Sequence, residues 1–474
     1  MTSDSVNGTS EALAHLRRES LDIFNRVHSI AEDCEFVKAV REAYPELPLV
    51  PNLRCGAWYV DPEIASEEAA YFKSTDGHFN NWSFNLRRPN IHLLPFIIQH
   101  GGLLLVDSTR SGKRLPDALS KTVPIWCAVM NRAICLRHGK GSDWDTTLYT
   151  SPVAVSRQEH AHIETQLEEW ATTLNNSSYD LPNLTRPLRP FWITPSTSSY
   201  PHIPPTSDRT FYPVICVSAS KHIEEGLERR SKGFSYIQGS GDDHELWGQG
   251  LTPDIFWQHR ARILITDRPW LPDLIQDLVA SHTAGRSAAR TAGPTRIARV
   301  QGRLLVGNLS DPPSPAAHSP AAGAAGISCV VIAEALPAAD TDADAAPAPG
   351  AHAHTLRLRL PQGKRGQKLF LDSVLPRAVP FVDAELAQGR AVCVCCDTGK
   401  DASVGVALAA LQLFFDDAGE YVQPDKRSGK AADKKSVGTR LQWIITSRPE
   451  ANPSRATLKK VNEFLMTPPE LRGK

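Results

Sequence analysis

No stretch of this 474-residue chain is both long and apolar enough to cross a bilayer. The longest apolar runs, such as SVGVALAALQLFF, fall short of the roughly 20 residues that a spanning helix needs. No membrane partner is therefore expected. The opening decapeptide, MTSDSVNGTS, lacks the basic-then-apolar order of a secretory leader. Cysteine pairing is missing as well. The nine cysteines are scattered without paired metal spacings, and Cys393, Cys395 and Cys396 crowd into one apparent strand, poor geometry for a disulfide or a zinc knuckle. Reduced thiols in a cytoplasmic protein are the expectation, with no obligate protein partner. Net charge is absent too: 52 Lys/Arg balance 52 Asp/Glu, which excludes a general polycation. Any surface for nucleic acid must come from local segregation of charge.

Such segregation is present. Residues 85–140 hold nine Lys/Arg against Asp107 and Asp117, and residues 425–474 hold twelve against five acids. Two basic segments in a neutral chain suit an anionic partner at defined places. The length allows two or three domains. Apolar side chains at helical spacing over 11–44 predict one or two amphipathic helices ending before Pro45. From there to YPVICVSAS strands and helices alternate, and GGLLLVDSTRSGKRLP feeding DALSKTVPIWCAVMNRAI is the clearest strand–loop–helix unit. This is the signature of a mixed or parallel sheet in an α/β domain. Residues 190–210, rich in proline and serine, read as an irregular loop. SHTAGRSAARTAGPTR marks a boundary near 281–296. The division is 1–285 for the first α/β domain and 286–474 for a second, with low-complexity inserts near 310–326 and 336–354.

Four loops carry chemistry. In VCVCCDTGKDASVGVALAAL, residues 392–411, a strand enters a small turn and then an all-apolar helix. Gly399 permits the turn, the helix start aims its dipole at the loop, and Thr398, Lys400 and Ser403 add donors. The layout resembles the phosphate loop of cysteine phosphatases, with Cys396 as the counterpart of their nucleophile. Six positions beyond Cys396, where those enzymes need arginine, stands Ala402; six beyond Cys395 stands Asp401. A seat for phosphate without phosphocysteine chemistry follows. The VDSTRSGKRLP loop offers Ser108, Thr109, Arg110, Ser111, Lys113 and Arg114 around Gly112, but not the ATP-binding Gly-x4-Gly-Lys-Ser/Thr pattern. In YIQGSGDDHELWGQGLTPDIFW, Asp242 and Asp243 stand in a glycine-rich turn, able to hold magnesium or to accept a proton; a helix cap is the plainer reading. The fourth, STDGHFNNWSFNLRRPNIHLLP, mixes aromatics with amides, Arg87 and Arg88, as contacts to RNA do.

Those blocks, together with the closing RLQWIITSRPEANPSRATLKKVNEFLM, resemble the fungal and plant initiator tRNA 2′-O-ribosyl phosphate transferases across nearly the whole chain. The resemblance implies an enzyme that moves 5-phosphoribosyl from phosphoribosyl pyrophosphate to the 2′-hydroxyl of a T-stem adenosine in initiator methionine tRNA, excluding that tRNA from elongation. It also implies a C-terminal domain like the dual-specificity phosphatases. Role assignments follow residue type. Thr398, Gly399, Lys400 and Ser403, with Cys396, would bind one phosphate, with Asp401 orienting Lys400 or acting as base. Ser108, Thr109, Arg110, Gly112 and Lys113 would bind a second anion. Asp242 and Asp243 would take magnesium or a proton, and Arg87, Arg88, Lys434 and Lys435 would meet tRNA. The alternative is an inactive phosphatase-like module that binds phosphorylated RNA or protein; an active phosphatase using Cys396 or Cys395 is a third reading.

Overall fold

The computed structural model describes residues 14–66, 68–110, 112–224, 228–231, 233–285, 294–309, 327–334, 355–426 and 433–468. Ser111, the two low-complexity inserts and residues 427–432 lie outside them. The chain separates into two compact units, Met1–Gly285 and Arg286–Lys474.

The first unit is built on four parallel strands: β1 (Leu49–Pro51), β2 (Leu103–Asp107), β3 (Leu188–Ile193) and β4 (Tyr212–Ser218), in the order β1-β2-β4-β3. All of β2 and β4 is buried, as a sheet covered on both faces requires. The side chains alternate between two cores. Leu103 and Leu105 pack with Val214 and the helix α2 (Val123–His138), whereas Leu104 and Val106 pack with Ile215 and α1 (Ile23–Ala43). The N-terminal helical pattern is broken at Asp22, whose side chain caps α1 by accepting from Asn25 N. The sequence places loop at residues 190–193, but they belong to β3. Pro190 is tolerated there because β3 is an edge strand, where a missing N–H need not cost a ladder bond.

The second unit has five strands: β7 (Thr295–Arg296), β8 (Leu304–Asn308), β9 (Ile327–Ala333), β10 (Thr355–Arg359) and β11 (Ala391–Cys396). Their order is β10-β9-β11-β8-β7, parallel except for β7. The short pair β5 (Glu228–Arg229) and β6 (Ser235–Tyr236) belongs to the first unit. One face of the larger sheet carries the main core, where Val306, Val330, Val392 and Val394 meet the helices α4 (Leu375–Ala387), α5 (Ala402–Phe414), α6 (Lys434–Ser447) and α7 (Arg455–Met466), and α3 (Gly363–Leu369) packs against α7. The other face carries a smaller cluster of Leu305, Cys329, Cys393 and Cys395. All nine cysteines are free thiols. Among the described residues, no helix is long and apolar enough to cross a membrane.

Candidate functional site

In an open parallel sheet, ligands bind outside the carboxyl ends of the strands. The loops that leave β1, β2 and β4 of the first unit meet there, and one carboxylate organises them. Asp107, with no exposed surface, closes β2. It accepts from Arg54 Nε at 3.0 Å, Arg54 Nη2 at 3.1 Å, Asn52 Nδ2 at 2.9 Å and the Ser108 amide at 2.9 Å. The Cys55 thiol stands 3.0 Å from it. The third guanidinium nitrogen of Arg54 donates to Asp242 Oδ1 at 2.7 Å. Arg110 Nε lies 3.7 Å from the other Asp242 oxygen, and Arg110 also pairs with Asp243. Two loops read separately in the sequence, 108–114 and 239–243, therefore form one wall. Gly239, at φ +66°, makes this possible: a Cβ there would sit 2.2 Å from the Thr109 carbonyl oxygen.

The other residues of these loops are put to different uses. Ser108 is fully buried, with its hydroxyl 2.6 Å from that of Ser220, so it faces an inner network and not the crevice. Ser220 lies 2.5 Å from Asp33 Oδ2, and the Tyr236 hydroxyl lies 2.7 Å from Asp33 Oδ1. Burial pushes the Asp33 carboxyl well above its ordinary value, against the pull of those two hydroxyls. Lys113 is exposed but paired with Asp117 at 2.6 Å, and buried Lys121 bridges Asp117 and Glu159 at 3.0 and 3.2 Å. Burial opposes ionisation of Asp117, yet the two lysines overcome it and hold the carboxyl below its ordinary value. Thr109 is half-buried, while Arg110 and Gly112 are exposed. The Arg88 side chain is 6% exposed, with Nη2 2.9 Å from both oxygens of Asp76. The pair ties the two ends of the 74–88 loop together. Arg87 is half-buried; Lys434 and Lys435 are exposed at the start of α6.

Among the described residues, no three His, Cys, Asp or Glu side chains gather as metal ligands. Asp242 and Asp243 do not form a cage. They fit magnesium only in its usual manner with polyphosphates, as one or two carboxylates beside an ion that the substrate carries.

In the second unit, β11 delivers Cys396, 4% exposed, to the loop 397–401 and then to α5. Cys396 Sγ lies 3.1 Å from Ser403 Oγ and 3.9 Å from Thr398 Oγ1. Gly399 turns the chain at φ +65°. No side chain caps α5, and among the described residues the amides of Ala402 and Ser403 have no backbone acceptor. Unsatisfied N–H groups at a helix start are what binds an oxyanion. Lys400 is exposed without a carboxylate partner among the described residues. Asp401 accepts from the Ser454 amide at 2.9 Å, so it fastens the loop and does not reach Lys400.

The loop's position comes from the segment after α6. Arg448 is buried; its Nε donates to the Gly399 carbonyl at 3.0 Å, its Nη1 to Thr295 Oγ1 at 2.8 Å, and its Nη2 pairs with Glu450 at 3.2 Å. The Asn452 amide holds the Lys400 carbonyl at 3.0 Å. Arg54, Arg448 and Asp33 are absent from the sequence reading. Arg54 follows a strand in NLRCG, which hints at a loop, but its partners lie 53 and 188 residues away.

Residues 16–280 match the family model described as the Rit1 N-terminal domain, and residues 354–465 match that of the Rit1 DUSP-like domain. A Saccharomyces cerevisiae protein named tRNA A64-2′-O-ribosylphosphate transferase is 31% identical over 485 residues, covering 95% of this chain and 93% of its own. The chain belongs to the Rit1 family. An uncharacterised Schizosaccharomyces pombe protein is 41% identical over 261 residues, which is 54% of this chain and 56% of its own. Among solved structures, human DUSP28 is 17% identical with a TM-score of 0.25, covering 37% of this chain and 95% of that one. Membership of the Rit1 family makes the second unit its DUSP-like domain, the two-domain α/β architecture that the sequence resemblance implied.

Two outcomes check this geometry. Arg54→Ala leaves Asp107 buried and unpaired and should cost about 3–5 kcal/mol in urea unfolding of the first unit. Adding Asp107→Asn should return part of that loss; strictly additive costs would show that the two groups do not act as a pair. For Asp33, an unfolded aspartate ionises near about pH 3.9, below the folded group. The folded chain then holds the extra proton, and stability falls as pH rises through that window. Asp33→Asn should lose less stability than the wild type as pH rises above about 4, and parallel curves would contradict the assignment.

Proposed function

We propose that the chain is a tRNA 2′-O-ribosylphosphate transferase that takes 5-phosphoribosyl from phosphoribosyl pyrophosphate and places it on the 2′-hydroxyl of a T-stem adenosine of initiator methionine tRNA. The observation that carries this reading is the convergence at Asp107: two arginines and two aspartates from separate loops meet at the carboxyl edge of the parallel sheet. The name of the Saccharomyces cerevisiae relative supports the coarser reaction, and its similarity runs through both units. The cytoplasm is the proposed site of action.

The chemistry asks for little covalent help. The acceptor 2′-oxygen bonds to the anomeric carbon, the bond from that carbon to the pyrophosphate oxygen breaks, and the hydroxyl proton leaves. Such a displacement passes through an oxocarbenium-like state, which nearby carboxylates stabilise. Asp242 and Asp243 are suited to that charge and to the proton, and Arg110, exposed beside them, to the departing pyrophosphate. Magnesium, when bound with the donor, would neutralise pyrophosphate charge. In the second unit, Cys396, Thr398, Ser403 and the start of α5 hold a phosphate. Ala402 stands in the place of the arginine that hydrolysis requires, so the bound group is gripped and not cleaved.

Incubation with labelled phosphoribosyl pyrophosphate and bulk tRNA should put label into initiator methionine tRNA alone. Label in no tRNA, with retained affinity for phosphorylated RNA or protein, would favour the inactive binding module. Lys400→Ala should lower single-turnover transfer at least about tenfold while tRNA affinity stays within about twofold. Normal transfer by that variant would remove the Cys396 loop from the reaction.

A further inference from the structure

Edge strand β10 alternates TLRLR: Leu358 points into the core, while Arg357 and Arg359 stand exposed. Arginine on an edge strand commonly guards against sheet extension, but that role needs no cavity. Here Arg359 meets Arg365 of α3 and Arg377 of α4 around a cavity of about 280 Å³, with Ser373 in its wall and Leu358 and Leu369 beneath. Three elements thus bring three arginines to the lining of one hollow. Among the described residues, neither Arg365 nor Arg377 pairs with a carboxylate, and Arg359 donates only to the Glu334 carbonyl, at 3.3 Å. Like charges around a shared cavity repel unless an anion joins them. A guanidinium fork matches phosphate geometry.

The geometry points to a docking site for a backbone phosphodiester of the acceptor RNA in this cavity, separate from the Cys396 loop. Two observations favour a polymer over a small anion. Residues 355–380 carry six Lys/Arg against the single Asp372, so the segment that lines the cavity holds three cations, Arg357, Lys364 and Lys368, besides the three arginines of the wall. Pro361 also lines a second cavity of about 130 Å³, whose wall includes Ala402 at the start of α5 and Lys460 of α7. The two cavities share Pro361, so a continuous hollow runs from the arginines toward the phosphate loop, the path that a strand would follow; Lys460, paired with Glu463 at 2.9 Å, is the one basic residue of the second cavity's wall. Arg365 and Arg377 supply the anchor, and Ser373 adds a hydroxyl donor.

The inference rests on the proposal that tRNA is the acceptor, and one experiment separates the two. The full-length wild type and the Arg365→Gln/Arg377→Gln double variant, both changes at exposed positions, are titrated with initiator tRNA by fluorescence anisotropy between 50 and 200 mM salt. Neutralising phosphate contacts should weaken binding about tenfold and flatten the slope of log K against log salt by about 1 to 2. The KM for phosphoribosyl pyrophosphate should not change. Equal affinity and slope in the two proteins, with the wild type binding tRNA, overturns the docking site alone. Failure of the wild type to bind tRNA overturns the functional reading and this site with it. Inorganic pyrophosphate binding to the wild type and not to the variant, with tRNA affinity intact, would reassign the cavity to a small anion.

Discussion

A carboxylate sealed at the end of a central strand is the constraint on which the first unit turns. Asp107 has no solvent to hydrate its charge, and a buried ion without partners costs several kcal/mol. The chain meets that demand with Asn52, the Nε and Nη2 donors of Arg54 and the amide of Ser108. These donors come from the loops after β1 and β2. Arg54, thus fixed, has one nitrogen left to fasten Asp242. Satisfying one charge aligns three segments and sets the crevice at the sheet's carboxyl edge.

The second unit solves a different problem by subtraction. A cysteine-phosphatase loop without its arginine keeps its turn glycine, its hydroxyls and an uncapped helix start. It loses the cation that would stabilise phosphoryl transfer to the thiol. Arg448, the buried cation next to this loop, donates to the Gly399 carbonyl and so shapes the backbone, while the loop's own cation, Lys400, stands exposed. Geometry and reactivity are thereby separated: the cradle persists while the means of hydrolysis is gone.

The framework was legible where local pattern decides structure. The continuous apolar run in LLLVD, the glycine at 399 and the small-residue helix after Cys396 each depend on near neighbours, and each was readable. Side-chain destinations were not. Arg88 reads like an RNA contact in its aromatic, arginine-rich context, yet it lies beneath the surface on Asp76, twelve residues away. Ser108 sits in a hydroxyl-rich turn but serves a network reaching Asp33 in α1. Arg54 and Arg448 went unnoticed because their significance lies in partners that only the folded chain supplies. Arg365 and Arg377 were hidden for a related reason: one strand and two helices must pack before three ordinary cations share a hollow.

The contact between Gly239 and the Thr109 carbonyl leaves these loops no independence. Any side chain introduced at 239 would force the backbone at 109 outward and carry Arg110 away from Asp243. For evolution, and for anyone regrafting specificity onto this scaffold, segments 108–110 and 239–243 are a single inherited part: exchanging one without the other breaks the wall they build.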